Sequence, residues 1–356
     1  MKKIFAFLVF VTTVSATHAQ PKVTVTVHPG TELLSIIHFL SDTAKGVKST
    51  YRKDIEQYFG KYKNHSAIKK AKELPFINCD FPVRLSWAFD NFPRLKLTAP
   101  TSLMGYEKYF TKDQVTDYFR ACLAFSKDTR FSQFYKKYKP KYQQWVHSFE
   151  RNLQEQNLLT VLDSFYRFVP KKEIIITPGA LNCGSYIVVD MKKLNPSYNN
   201  IMVIMVAYGN IAGNKANDET DPDFYAPIWT SQLVWHEMGH AYLDEIFEQN
   251  KDRINKLIYI FNRDSTMQKQ AQNMGWSMYL NENITQSVTS YLRIKTGKMS
   301  EEKEMKRITG GPFYVFVPLL LEVIRKEYEI PGKYADFKTF FPVLLTELEK
   351  KYPASL

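Results

Sequence analysis

The chain has 356 residues, a formal net charge of +12 and three cysteines. That length supports a large hydrophobic core and two or three packed subdomains rather than a small stapled module. Cys79, Cys122 and Cys183 allow at most one disulfide and lack any C-x-x-C spacing, which excludes a disulfide scaffold and argues against a structural zinc ribbon.

The N-terminus sets the expected compartment. Lys2 and Lys3 precede an apolar run from Ile4 to Val14, and Ser15-Ala16-Thr17-His18-Ala19 supplies the small residues of a cleavage site. The run is too short for a bilayer and has the flanks of a secretory signal, cut after Ala19 or, as the runner-up, after Ala16. The expectation is a secreted protein, periplasmic or extracellular, with no stable membrane insertion after cleavage. The remaining basic charge is carried by scattered lysines such as Lys61, Lys69, Lys136 and Lys141. Without a nucleic-acid motif around them they read as a solvated face, and no nucleic-acid partner is expected.

Alternating Val and Thr from Val23 to Val27 predict a strand, followed by an apolar helix from Thr31 to Leu40. From about Lys48 to Phe168 the pattern is helical and rich in aromatics. Lys112 to Phe125 and Arg130 to Gln154 are periodic, with a break or kink expected at Pro140. Phe131, Phe134, Tyr138, Tyr142, Trp145 and Phe149 read as a packing stripe rather than a ligand box. The texture changes at Lys171. Glu173–Thr177, Ser185–Asp190 and Ile201–Tyr208 are β-branched or apolar runs separated by turn residues, which predicts a small sheet. A polar loop with Asp218, Glu219, Asp221 and Asp223 follows; it lacks a calcium-loop spacing and reads as solvated. Helices are then expected at about Trp229–Gln249, Asp252–Phe261, Gln268–Arg293, Pro318–Tyr328 and Tyr334–Lys351, with a flexible turn at Thr309-Gly310-Gly311-Pro312. The order helices, strands, helices gives an α+β, predominantly helical protein. The expected divisions are 1–19 (signal), 20–170 (mainly helical), 171–299 (catalytic core) and 300–356 (C-terminal helical region).

The chemistry is carried by His236-Glu237-Met238-Gly239-His240. Two histidines four residues apart on a helix point the same way and can converge on one zinc ion. Glu237 beside them suits a general base that takes a water proton and returns it to the leaving amine. The flanks Leu233-Val234-Trp235 and Ala241-Tyr242 are uncharged, so this helix can be buried. Gly239 costs a helix about 1 kcal/mol relative to alanine, and a neighbouring segment that must approach closely would explain it.

A third ligand must come from elsewhere, because Leu243 and Ile246 stand where the metzincin pattern continues with Gly and His. Glu245 projects away from the histidine face and Glu248 lies too far along. Glu282, in Tyr279-Leu280-Asn281-Glu282-Asn283-Ile284-Thr285, stands out inside a predicted helix. It lies opposite the apolar stripe of Leu280, Ile284, Val288 and Tyr291, on a face that suits either a cleft ligand or a solvated residue. Asp244, four residues after His240, could orient a ligand ring or merely be a solvated helix residue. Tyr314 is the candidate donor to the developing oxyanion, with Tyr279 next. His28, His38, His65 and His147 read as structural or exposed.

With these residues the chain resembles the gluzincins, zinc peptidases whose ligands are the two motif histidines and a glutamate on a second helix. Asn281-Glu282 matches the pair common at that glutamate. The sequence is also similar to an uncharacterised family of secreted bacterial proteins carrying the motif. The resemblance implies a zincin-like catalytic domain with His236, His240 and Glu282 on zinc and a peptide or protein substrate. A strand before the helix, Ile201–Tyr208, would align that substrate. Two departures stand out: the long spacing to Glu282 implies an inserted helix, and Gln286 occupies a position where some gluzincins carry an acid. The rival readings are a zinc hydrolase of another amide, such as a cell-wall bond, and a secreted binding protein with a vestigial motif.

Overall fold

The computed structural model describes residues 22–41, 49–74, 83–90, 92–98, 103, 107, 109–182, 184–210, 220–271 and 274–354. The signal segment with both its cutting points, Cys79, Cys183, Asp218 and Glu219 lie outside the described residues. Cys122 is a buried free thiol. Among the described residues no helix is long and apolar enough to cross a membrane.

The structure is predominantly helical with one four-stranded sheet. Strand β1 (Val23–Val25) leads into α1 (Pro29–Leu40), whose first turn is capped by the His28 side chain. Helices α2 (Thr50–Phe59), α3 (Ser66–Glu73), α4 (Lys112–Asp128), α5 (Phe131–Glu155) and α6 (Leu158–Tyr166) follow. α5 runs unbroken through Pro140, so the break expected there does not occur. Its aromatic stripe packs as read from the sequence. Phe134, Tyr142, Trp145 and Phe149 are buried, and Tyr51 of α2 sits edge-on against Trp145 at 5.0 Å.

Strands β2 (Ile174–Gly179), β3 (Tyr186–Val188) and β4 (Ile201–Val206) complete a sheet of order β1-β2-β4-β3. β1, β2 and β4 are parallel and β3 is antiparallel to β4. Every residue of β4 is buried, as its unbroken apolar run requires of a central strand covered on both faces. β4 is hydrogen-bonded on both sides, so it cannot pair with a substrate, contrary to the expectation for Ile201–Tyr208. β1 and β3 are the edge strands, each with one side that no other strand covers among the described residues.

The motif helix α7 (Pro227–Gln249) follows, with Pro227 in its first turn. Short helices α8 (Lys251–Lys256), α9 (Ile258–Asn262) and α10 (Ser265–Gln270) fill the interval that the long spacing implied. The second site helix, α11 (Trp276–Lys295), has Gly275 at its N-cap and starts later than its apolar pattern predicts. α12 (Glu301–Thr309), which the sequence reading leaves as chain before a turn, is capped by Ser300. Its Glu304 is fully buried between Arg293 and Arg307, at 2.8 and 2.5 Å. α13 (Val317–Val323), a π-helical turn (Ile324–Tyr328) and α14 (Phe337–Lys351) end the described chain. One continuous apolar core runs from Val27 to Leu348 and packs β1 and the early helices with the motif helix.

Candidate metal centre

α7 and α11 cross where Gly239 faces Thr285. A Cβ at Gly239 would lie 3.0 Å from Thr285 Cγ2, closer than side chains normally pack. The glycine therefore lets the second helix approach the first at the turn that carries the histidines. α7 is buried on most of its circumference: Val234, Trp235, Met238, Tyr242 and Leu243 are inaccessible, and the Trp235 indole donates to the Leu158 carbonyl at 3.0 Å.

This crossing brings Glu282 between the two imidazoles. Its carboxylate oxygens lie 3.2 Å from His236 Nε2 and 3.6 Å from His240 Nε2. Ligands about 2.0–2.1 Å from a tetrahedral ion are separated by roughly 3.3–3.5 Å, so the spacing suits one ion. Among the described residues, these three are the group able to hold a metal ion. Burial alone would raise the Glu282 carboxyl, but His240, His236 and Arg84 outweigh it and hold it at about 2. Burial pushes His240 below the usual imidazole range. His236 is shifted the other way: its burial is outweighed by the Glu282 carboxylate that its Nε2 meets and by Glu237, which raise the imidazole.

The orientation of His240 is fixed from α11. Its Nδ1 lies 2.5 Å from Asn281 Oδ1 and 3.2 Å from Thr285 Oγ1, and Thr285 also donates to Asn281. The Nδ1 proton donated to the amide oxygen leaves Nε2 as the lone-pair nitrogen facing Glu282. The orienting group is thus Asn281, not Asp244. Asp244 is 43 % exposed on its side chain and pairs with Lys172 at 3.6 Å. One turn beyond His240, it lines the cleft.

Glu237 is 7 % exposed and lines the same cleft as the three ligands. The cleft has a volume of about 770 Å³, with β3 and α7 on one side and the start of α11 on another. Met278, 59 % exposed, adds an apolar surface to it. Tyr314 lies close enough to feel both Glu282 and Glu237, and burial followed by these charges raises its hydroxyl to about 12. Tyr279 does not serve as a donor to the cleft, because its hydroxyl is bonded to the Phe313 carbonyl at 2.7 Å. Gln286 turns away from the ligands and donates to Ser290 at 2.9 Å.

The other histidines are structural or exposed, as expected. His28 caps α1 and stacks on Trp87, His38 is buried, His65 caps α3 and pairs with Asp128, and His147 is exposed. Asp221 pairs with Lys141 at 2.8 Å and Asp223 accepts from the Tyr225 backbone, so the described acids of that loop are engaged locally. Arg84 and β3 are the cleft elements that the sequence reading missed. Arg84 stands in a short 3₁₀ segment (Val83–Ala88) with no motif around it.

Residues 22–346 match the model of a family described as a domain of unknown function, DUF4932, and the chain belongs to that family. No curated protein and no solved structure matches the chain.

Proposed function

We propose that the protein is a zinc-dependent metallopeptidase of the gluzincin kind, acting outside the cytoplasm on peptide or protein substrates. The observation that carries this reading is the convergence of His236, His240 and Glu282 around one point, with Glu237 on the same cleft. Two nitrogens, one carboxylate and an open side toward the cleft form the donor set of a catalytic rather than a structural zinc site. When bound there, zinc supplies Lewis acidity to the scissile carbonyl and to the attacking water.

The chain's own residues supply the rest. Asn281 holds the His240 tautomer, and Glu282 supplies the negative charge among the ligands. Glu237 accepts the proton of the attacking water and passes it to the leaving amine. Tyr314 is the candidate hydroxyl donor to the developing oxyanion. The open edge of β3 would take an extended peptide by backbone pairing. The signal-like segment from Lys2 to Ala19 supports export.

The test is a metal assay on the purified chain, followed by digestion of a mixed peptide library with and without chelator. The expectation is one zinc per chain, peptide cleavage that chelator abolishes, and a Glu237→Gln variant that keeps the metal but is about 10²–10⁴-fold slower. Stoichiometric zinc with no peptide cleaved, but another amide hydrolysed, would replace peptidase by a different zinc hydrolase. No retained metal and no effect of Glu237→Gln would leave a binding protein with a vestigial motif.

A further inference from the structure

Arg84 lines the cleft together with His236, Glu237, His240 and Glu282. Its guanidinium lies over the ring of Tyr186, 4.8 Å from the centroid, and Tyr186 is the first residue of β3. Its Nε is buried without a hydrogen-bond partner, and among the described residues no carboxylate pairs with it. The other cations on this cleft are paired: Lys193 lies 3.5 Å from Asp190 and Lys251 3.4 Å from Glu248. Elsewhere the half-buried or buried Arg253, Arg293 and Arg307 each meet a glutamate. The two oxygens of Glu282 face the imidazoles, so that carboxylate is already engaged.

The Arg84 charge reaches Glu282, but a partly desolvated guanidinium that hydrogen-bonds no carboxylate is costly, and the cost is recovered when an anion arrives to bond it. Packing on the Tyr186 ring occupies a face of the guanidinium and leaves its terminal N–H groups for in-plane bonds, which a carboxylate can match. We infer that Arg84 is the carboxylate-binding residue of this cleft, and that the substrates are peptides bearing a carboxylate close to the cleaved bond. That carboxylate belongs either to a free C-terminus or to an acidic side chain. The inference rests on the reading of the cleft as a peptide site and adds a specificity to it.

The experiment measures binding, so that it does not depend on turnover. Three probes are titrated calorimetrically into the zinc-loaded chain carrying Glu237→Gln: N-acetyl-trialanine as its free acid, the same peptide as its amide, and the amide with glutamate in last place. The expected result is that at least one acidic probe binds about tenfold or more tighter than the neutral amide. Adding Arg84→Ala erases the difference, and Arg84→Lys restores part of it. A preference for the free acid places the site at a chain end, and a preference for the glutamyl amide makes it a reader of acidic side chains.

Equal binding of all three probes, no binding of any, or a preference that survives Arg84→Ala would overturn the inference. Should Arg84→Ala fail to fold, the probe comparison in the Arg84-containing chain and in Arg84→Lys still decides. A wild-type chain that cleaves library peptides without regard to acidic groups would leave the peptidase reading standing and Arg84 without this role. A chain that cleaves none, yet prefers the acidic probes, would do the reverse.

Discussion

Two glutamates withdrawn from water, Glu32 fully buried and Glu282 half-buried, have been driven in opposite directions. Glu282, at the α7–α11 crossing, is held at about 2 because two imidazoles and Arg84 outweigh its desolvation. Glu32, in the first half of α1, is pushed up to about 7 by burial, with the Tyr51 hydroxyl donating to it at 2.5 Å and only partly offsetting the shift. Tyr51 in turn meets the Tyr142 hydroxyl at 2.8 Å. Burial is common to both sites, and the neighbours decide the charge. Cationic or ionisable nitrogen neighbours make a buried carboxylate a ligand, whereas neutral hydroxyls make it a proton store.

The largest expected effect breaks the first member of the pair. Glu282→Gln removes the anionic ligand while keeping its shape, so zinc recovered with the purified chain should fall from stoichiometric to near zero, as read by elemental analysis. Retention of full metal would show that the ion does not use Glu282.

Glu32→Gln tests the second member through stability. The folded-state value of about 7 lies above the ordinary 4.5. The stabilising contribution is therefore complete below about pH 4.5 and is lost as pH rises through 7. At 1.36 kcal/mol per unit, the loss comes to about 3 kcal/mol by pH 8. Urea midpoints between pH 4.5 and 8 should show this slope in the wild type and lack it in Glu32→Gln, which should be the more stable protein at pH 8. Parallel profiles for the two proteins would mean that Glu32 ionises normally.

The smallest effect concerns the support of the metal group. Asn281→Ala leaves all three ligands but frees His240 to rotate or change tautomer, which should weaken zinc affinity by about 10–100-fold. Competition with a chromophoric chelator measures it directly. An unchanged affinity would assign the orientation of His240 to Thr285 alone.

These residues also show what a sequence can disclose. His236, Glu237 and His240 were legible because helical periodicity alone places two imidazoles one turn apart. Glu282 was legible because an acid stood opposite an apolar stripe. Gly239 is legible as a demand for close approach, met by Thr285, whose Cγ2 would lie 3.0 Å from a Cβ at that position. The orienting group was not. Asp244 satisfied the one rule available within a single helix, four residues on from its ligand, whereas Asn281 comes from a facing helix whose crossing only tertiary packing defines. β-branched runs revealed the four strands, but strand order was hidden. For that reason the sequence does not show that β4, the strand expected to align a substrate, lies between β2 and β3. α12 carries its own signals, with Ser300 as cap, Glu301, Glu302 and Glu304 in its first turn and Lys306 and Arg307 in its last, but the Gly310-Gly311 turn that follows masks so short a helix in the sequence. Arg84 had no local signature, since its role comes from Tyr186 and the ligands, all distant in sequence.

The parallel pairing of Val23 with Ile174 has a consequence for time rather than for chemistry. Everything from α1 to α6 lies in the crossover between those two strands. The closure cost of so long a crossover must be met before any β1–β2 bond forms. During that interval β2 presents an uncovered edge to other chains, which makes it the place where misassembly would begin. Refolding should therefore be slow and concentration-sensitive at this step, while the helices within the crossover form quickly.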